Sequence, residues 1–212
     1  MNWLSFVNAT IFGFVISFIG GFLDFPEPLV SFFVIIIVAY FLVYPIFRLY
    51  MGIGSMEKIE QLLLKNKKNP FYRFYYGLAN GIEKDVDESF RKINQGFHLP
   101  SVKKQYQLIH AYFHQRPEEM KKLLNGMRKS AFSLYYQAAH SILINDFEGA
   151  RSYIKQNPKM WMQEALTSEL LVKENRKEEA LIHARKVISK TKGIQRYVLL
   201  RNWEREWGMS LK

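Results

Sequence analysis

The chain has 212 residues, no cysteine, and 30 Lys and Arg against 19 Asp and Glu, which gives a formal net charge of +11. The absence of cysteine excludes a disulfide framework, a thiolate metal site and a thiol nucleophile. The excess of cations indicates acidic partners, such as anionic lipid or nucleic acid.

The first 50 residues contain two long apolar runs. The run Leu29–Phe47 has no charged residue, and a helix of its length spans roughly 28 Å, close to the hydrocarbon thickness of a bilayer. Residues 24–28 contain two prolines between the runs, which predicts a tight reversal. We therefore expect domain 1–50 to be a two-helix transmembrane hairpin, with spans of about residues 2–23 and 29–49. A cleavable signal peptide is the alternative for the first run, but no basic segment precedes it.

The distribution of cations predicts the topology. The loop between the runs has no Lys or Arg, whereas Arg48, Lys58, Lys65, Lys67 and Lys68 all follow the second run. The positive-inside rule then places both termini in the cytoplasm of a multi-pass cell-membrane protein. We expect residues 51–69 to form an amphipathic, cationic linker in which the four lysines contact anionic membrane lipids. The alternative is that these lysines are only solvated.

Small residues recur at every fourth position of the first run. In lipid, such a face allows close approach of another helix. We expect it to pack against the second span, with a homodimer contact as the alternative. The small residues are Ser5, Ala9, Gly13, Ser17 and Gly21.

From residue 69 onwards, apolar residues recur at helical spacing and Pro or Gly interrupts the pattern, which predicts an all-α region. The segments Asn145–Ala150 and Asn175–Ala180 lie thirty residues apart and both lead from a polar turn into an acidic helix start. A small residue on each of two helices joined by a short turn lets the helices pack closely. Such residues pair twelve apart: Gly77 with Ser89, Ala138 with Ala150, and Ser168 with Ala180.

This pattern resembles the tetratricopeptide repeat (TPR) over roughly residues 70–190. The resemblance implies an α-solenoid of TPR-like helix pairs in domain 70–212, and a protein or peptide segment bound in its concave surface. We expect four degenerate pairs followed by a capping helix, Ile194–Trp207. The second pair departs from the repeat, since it has Ala111 but Leu123 where a second small residue is expected.

The small residues also predict a groove. If Gly77, Ala111, Ala138 and Ser168 pack the first helix of each pair, residues three before and one after them lean toward the concave face. An apolar, aromatic strip with cations beside it suits a peptide with hydrophobic side chains and acidic groups. The alternative is that Phe74, Tyr112 and Tyr135 belong to the core. The predicted partner-binding residues are Phe74, Leu78, Leu108, Tyr112, Tyr135, Ala139 and Glu169, with Arg116 and Lys173 at the edge.

Catalytic patterns are not found in the sequence. His110 and His114 lie one turn apart, a spacing that can hold a metal, but the third ligand would have to be Glu118, across Pro117. We therefore predict no metal site. Because no nucleophile–base pattern or phosphate loop is present, we also predict no cofactor and no enzymatic activity.

The leading functional prediction is a membrane-tethered cytoplasmic TPR-like adaptor or scaffold that binds a protein or peptide partner. RNA or anionic-lipid binding through the basic solenoid is an alternative, with nucleic acid the less favoured partner. A second alternative is an assembly subunit of a membrane complex that uses the small-residue face of the first span.

Overall fold

The computed structural model describes residues 55–96 and 99–208, together with single helical positions at 28, 31, 32 and 34–36. The chain divides into two compact units, Met1–Ile53 and Gly54–Lys212. In the first unit, Phe32, Ile35 and Ile36 expose their side chains. The predicted helix-packing face of Ser5, Ala9, Gly13, Ser17 and Gly21 lies outside the described residues.

The predicted transmembrane hairpin requires correction. In the described part of the chain, no helix is both long enough and apolar enough to cross a membrane. A charge-free run spans a bilayer only where it forms one continuous apolar helix of about 20 residues. This finding contradicts the spans at residues 2–23 and 29–49, and with them the multi-pass membrane location with both termini in the cytoplasm.

The second unit is helical throughout its described residues and contains no strand there, which confirms the all-α prediction for residues 55–96 and 99–208. Ten helices follow one another in this range. They are α1 (Met56–Lys65), α2 (Pro70–Asn80), α3 (Glu83–Gly96), α4 (Pro100–Phe113), α5 (Pro117–Leu124), α6 (Ala131–Leu143), α7 (Phe147–Gln156), α8 (Met160–Lys173), α9 (Lys177–Lys190) and α10 (Gly193–Trp207).

Four helix pairs, α2/α3, α4/α5, α6/α7 and α8/α9, are closed by the same backbone turn. In each turn one residue has a positive φ angle, and the next N–H donates to the carbonyl five residues earlier, as in a Schellman motif. Glycine and asparagine tolerate this left-handed conformation best. The turn residues are Gly81 (φ 66°), Gln115 (52°), Asn145 (61°) and Asn175 (63°).

This turn sets the packing register of every pair. The residue seven positions before the turn residue and the residue five positions after it are buried, with 0 % exposure in all four pairs. Both residues are large in the first two pairs and small in the last two. They are Phe74 with Val86, Leu108 with Met120, Ala138 with Ala150, and Ser168 with Ala180.

The register shows that the small-residue pattern assigns the wrong packing positions to the first two pairs. Gly77 and Ala111 lie three residues after the positions that correspond to Ala138 and Ser168. Gly77 is still a close-contact site, because a Cβ atom there would lie 2.9 Å from Val86 Cγ2 and 3.0 Å from Val86 N. The two pairs with large packing residues therefore share the turn and the packing register of the other two pairs.

Helix α1, within the range predicted as a linker, packs in the second unit. It contacts α2 and α10, and its Ile59 and Leu63 side chains are buried. An acidic residue of α1 also receives a hydrogen bond from the last helix, since Arg201 Nη2 donates to Glu60 Oε2 at 2.9 Å. Residues Met56–Lys65 are thus part of the helical array.

Helix α10 joins the two ends of the array. It contacts α9, which precedes it, and also α1 and α2 at the start of the unit. Arg205 Nη1 donates to the Ala79 carbonyl at 3.0 Å, and Asn80 Nδ2 donates to the Tyr197 hydroxyl at 3.2 Å. The helix predicted as a terminal cap therefore closes the array.

The close contact at Gly77 predicts the effect of a single methyl group. In Gly77→Ala the new Cβ meets the backbone of α3, which cannot rotate away as a side chain can, so we expect a loss of about 1–3 kcal/mol in the free energy of unfolding. Gly96→Ala is the control, because no described atom lies within 4 Å of its Cβ position. This control should be neutral or stabilising by up to about 1 kcal/mol. Urea unfolding followed by circular dichroism measures both, and equal stabilities would contradict the packing register.

Candidate binding cavity

The first helices of the pairs and α10 enclose a cavity of about 590 Å³. This volume is within the range of about 300–1,000 Å³ that is typical of ligand-binding clefts. Much of its wall is apolar, from residues on α4, α6, α8 and α10. These include Ile109, Ala139, Ile142, Val172, Val198 and Leu199.

The turn register accounts for which side chains reach the cavity. Residues three positions before the turn residue line it in all four pairs, and residues six positions before it do so in the last three pairs. These positions lie on one face of each first helix, since three residues make nearly one helical turn. The first set is Leu78, Tyr112, Ile142 and Val172, and the second is Ile109, Ala139 and Glu169.

Most of the predicted groove residues come together here. Leu78, Tyr112, Tyr135, Ala139, Glu169 and Lys173 line the cavity. Phe74 and Leu108 do not, because they occupy the packing positions inside their helix pairs and are fully buried there. Arg116 is exposed and pairs with Glu119 at 3.5 Å, away from the cavity lining. The alternative assignment to the core therefore applies to Phe74 and also to Tyr135, which belongs to the buried core although it borders the cavity. Tyr112 packs against that core and lines the cavity.

Glu169 is the polar centre of the cavity. The Tyr112 hydroxyl donates a hydrogen bond to its Oε2 atom at 2.8 Å. Tyr135 and Trp203 also lie near this carboxylate and favour its ionised form. The Trp203 side chain is 1 % exposed, and its Nε1 atom makes no hydrogen bond within the described residues. An acidic group and three donor groups thus share a cleft whose lining is both polar and apolar.

Burial raises the pKa of Glu169 to about 7, a shift that the hydrogen bond from Tyr112 reduces and the nearby Glu206 carboxylate increases. Burial also raises the pKa of the Tyr112 and Tyr135 hydroxyls well above their ordinary value, and the Glu169 charge adds to this. The tyrosines therefore remain protonated donors at neutral pH. The pKa of Glu169 is thus shifted toward neutral pH, and a cation in the cavity would stabilise its charged form.

Charged residues also stand at the exposed edge of the cavity, namely Lys173, Arg205 and Glu206. Arg205 is held by the α2 backbone through the Ala79 carbonyl. Cations were predicted at this edge, and Lys173 and Arg205 are there. The wall formed by α10 could not be predicted from the sequence, because it depends on contacts between the ends of the array.

The four lysines predicted to contact anionic lipid have different surroundings. Lys58, Lys65 and Lys68 are exposed, whereas Lys67 Nζ lies 2.7 Å from Asp85 Oδ2. Asp85 also accepts from Arg73 at 2.8 Å. Burial alone would raise the pKa of Asp85, but the bonds from Lys67 and Arg73 outweigh it and lower the pKa. Part of the positive charge near α1 is therefore neutralised within the fold.

No protein-family model matches the chain, and neither a curated protein nor a solved structure does. The resemblance to the tetratricopeptide repeat accordingly stays a prediction.

The raised pKa of Glu169 predicts a dependence of stability on pH. The folded-state pKa of about 7 lies above the ordinary value of 4.5, so the folded protein binds more protons than the unfolded chain between these two pH values. Stability from this group is therefore lost as the pH rises through that window, by up to about 3 kcal/mol. Glu169→Gln removes the titrating group and should flatten this part of the profile.

Denaturant unfolding at a series of pH values measures this effect as the difference between wild type and Glu169→Gln. Taking the difference cancels the contributions of other titrating groups, such as Asp85 and His110. Glu178→Gln removes an exposed glutamate on the outer helix α9 and serves as the control. If wild type and Glu169→Gln differ in free energy of unfolding by the same amount at pH 4.5 and pH 7, then Glu169 does not titrate in this range.

Proposed function

We propose that the unit Gly54–Lys212 is a binding scaffold that holds a segment of a partner protein in its cavity. The observation that supports this proposal is the apolar and aromatic lining around one partly ionised carboxylate, Glu169. Helical arrays commonly use their concave surfaces for binding, because each repeat contributes an equivalent face. The resemblance to the tetratricopeptide repeat favours the same role.

The charge of the cavity favours a basic side chain on the partner. The sequence predicts a partner with acidic groups, but such a group would be repelled by Glu169 and Glu206. A Lys or Arg side chain of the partner would pair with them. The faces of Tyr112, Tyr135 and Tyr136 can also attract a cation. Because the whole chain has a net charge of +11, a polybasic partner would be repelled at long range. We therefore propose a segment with a single Lys or Arg among apolar residues.

A panel of short blocked peptides tests this proposal directly. Each peptide has Leu and Phe around a central residue that is Lys, norleucine or Glu, so that only the central charge differs. We expect the Lys peptide to bind most tightly, and its affinity to increase as the pH rises through about 7 and Glu169 ionises. The groups facing Glu169 are Tyr112 of α4, Tyr135 of α6, and Trp203 and Glu206 of α10. Isothermal titration calorimetry at several pH values measures the affinities.

Variants of the cavity provide the control. Glu169→Gln should weaken binding of the Lys peptide by about tenfold or more, because a charge-assisted pair is lost. It should leave the norleucine peptide nearly unchanged, and Glu178→Gln should alter neither. Tighter binding of the Glu peptide, or equal binding of the Lys peptide to wild type and Glu169→Gln, would contradict the proposal. Steep weakening by salt for all peptides and variants would instead favour a nonspecific electrostatic interaction.

A crosslinking experiment addresses the natural partner. A photoreactive residue in place of Leu199 lies in the cavity, whereas one in place of Ile182 lies on an exposed position of α9. We expect the first to crosslink a discrete peptide segment with one basic residue between apolar residues, and the second not to do so. Mass spectrometry of the crosslinked peptide identifies the segment. Crosslinks from position 199 only to acidic segments would contradict the assigned charge preference.

A further inference from the structure

Three potential metal ligands converge between the first and second helix pairs. His110 and His114 lie one turn apart on α4, and each donates from Nε2 to the same Asp87 Oδ1 atom on α3, at 2.8 Å. The three ligand atoms all lie within 4.8 Å of one another. The spacing of the two histidines was recognised from the sequence, but the third ligand was expected at Glu118 and is instead Asp87. Asp87 becomes a neighbour only because α3 packs on α4.

Aromatic packing fixes the orientation of the two imidazole rings. The His110 ring stacks on Phe90 with centroids 4.0 Å apart and an interplanar angle of 16°. The His114 ring contacts both His110, at 4.6 Å, and Phe113, at 5.1 Å. The histidine side chains are 10 % and 15 % exposed, against 47 % for Asp87. The cluster thus has two rigid nitrogen ligands on its inner side and an adjustable carboxylate toward solvent.

We propose that Asp87, His110 and His114 form a binding site for a divalent transition-metal ion of the Zn²⁺ class. Two imidazoles and one carboxylate are a ligand set that such ions accept, with water completing a tetrahedral shell. Ca²⁺ and Mg²⁺ prefer shells made of oxygen ligands, so the two nitrogens disfavour them. The site is independent of the cavity and of the function proposed for it.

The two contacts to Asp87 are close to the ligand spacing of a loaded site. Metal–ligand bonds of about 2.0–2.2 Å in a tetrahedron place the ligand atoms roughly 3.3 Å apart. The two contacts of 2.8 Å therefore need to open by about half an ångström, which rotation of the partly exposed Asp87 side chain can provide. Each imidazole must also carry its proton on Nδ1, since the Nε2 lone pair becomes the ligand.

A bound ion would connect adjacent helix pairs. Asp87 belongs to the second helix of the first pair, whereas His110 and His114 belong to the first helix of the second pair. In the metal-free protein these helices share two hydrogen bonds to one oxygen atom. Metal coordination would replace both bonds with a stronger link, so the metal should raise the melting temperature of the whole unit.

Titration of the full chain with Zn²⁺ and Co²⁺ tests the site. We expect one equivalent of Zn²⁺ to bind and to raise the melting temperature, and Co²⁺ to give the visible absorption of a tetrahedral complex. Mg²⁺ and Ca²⁺ should produce neither effect. His114→Gln and Asp87→Asn should each weaken binding at least tenfold and abolish the Co²⁺ absorption, because each removes one of three ligands. Asp87→Asn changes a partly exposed residue and so keeps the test valid if His114→Gln folds poorly.

His183→Gln is the matched control, because His183 also contacts a carboxylate, that of Glu164 on α8, but no second histidine joins them among the described residues. It should bind Zn²⁺ as the wild type does. Chemical modification with diethyl pyrocarbonate gives a second readout on the unaltered chain, since Zn²⁺ should protect His110 and His114 but not His140 or His183. Binding that is equal in wild type, His114→Gln and Asp87→Asn, or Zn²⁺ protection of all four histidines, would overturn the proposal.

Discussion

The left-handed turn between paired helices is the constraint from which the other features of this unit follow. The Schellman bond at each turn fixes where the first helix ends, so the same two positions of every pair meet in its interior. Once these positions are set, the register also determines which residues of each first helix, three and six before the turn, reach the cavity. Tyr112, Ile142 and Val172 therefore meet in one cavity although their side chains have little in common.

A fixed backbone register with variable side chains also explains how much of the helix packing could be predicted from the sequence. Ala138 with Ala150 and Ser168 with Ala180 were recognised because small residues mark a close helix contact. In the first pair the same position is Phe74, and the nearby Gly77 matched the small-residue pattern better. Small size identifies a contact but not its register. The turn residues Asn145 and Asn175, thirty positions apart, provide the signal that gives the register correctly.

Other features depend on contacts between distant residues, which no local pattern contains. Glu169 was placed in the groove from helical spacing alone, but its raised pKa comes from burial in the folded unit and from the charge of Glu206 on α10. Asp87 meets His110 only after α3 packs on α4. The hairpin prediction failed for a different reason, because it inferred continuous spanning helices from hydropathy and charge alone.

Closure of the array by α10 has a consequence for folding. An open helical array can unfold from either end, since each repeat contacts only its neighbours. Here Asn80 bonds Tyr197 across 117 residues and Glu60 bonds Arg201 across 141, so the first helices lack these partners until α10 is in place. Contacts of such high sequence separation slow folding. Because α10 follows all the other helices of the unit, it is synthesised after them, and the cavity that it lines is complete only once α10 has packed.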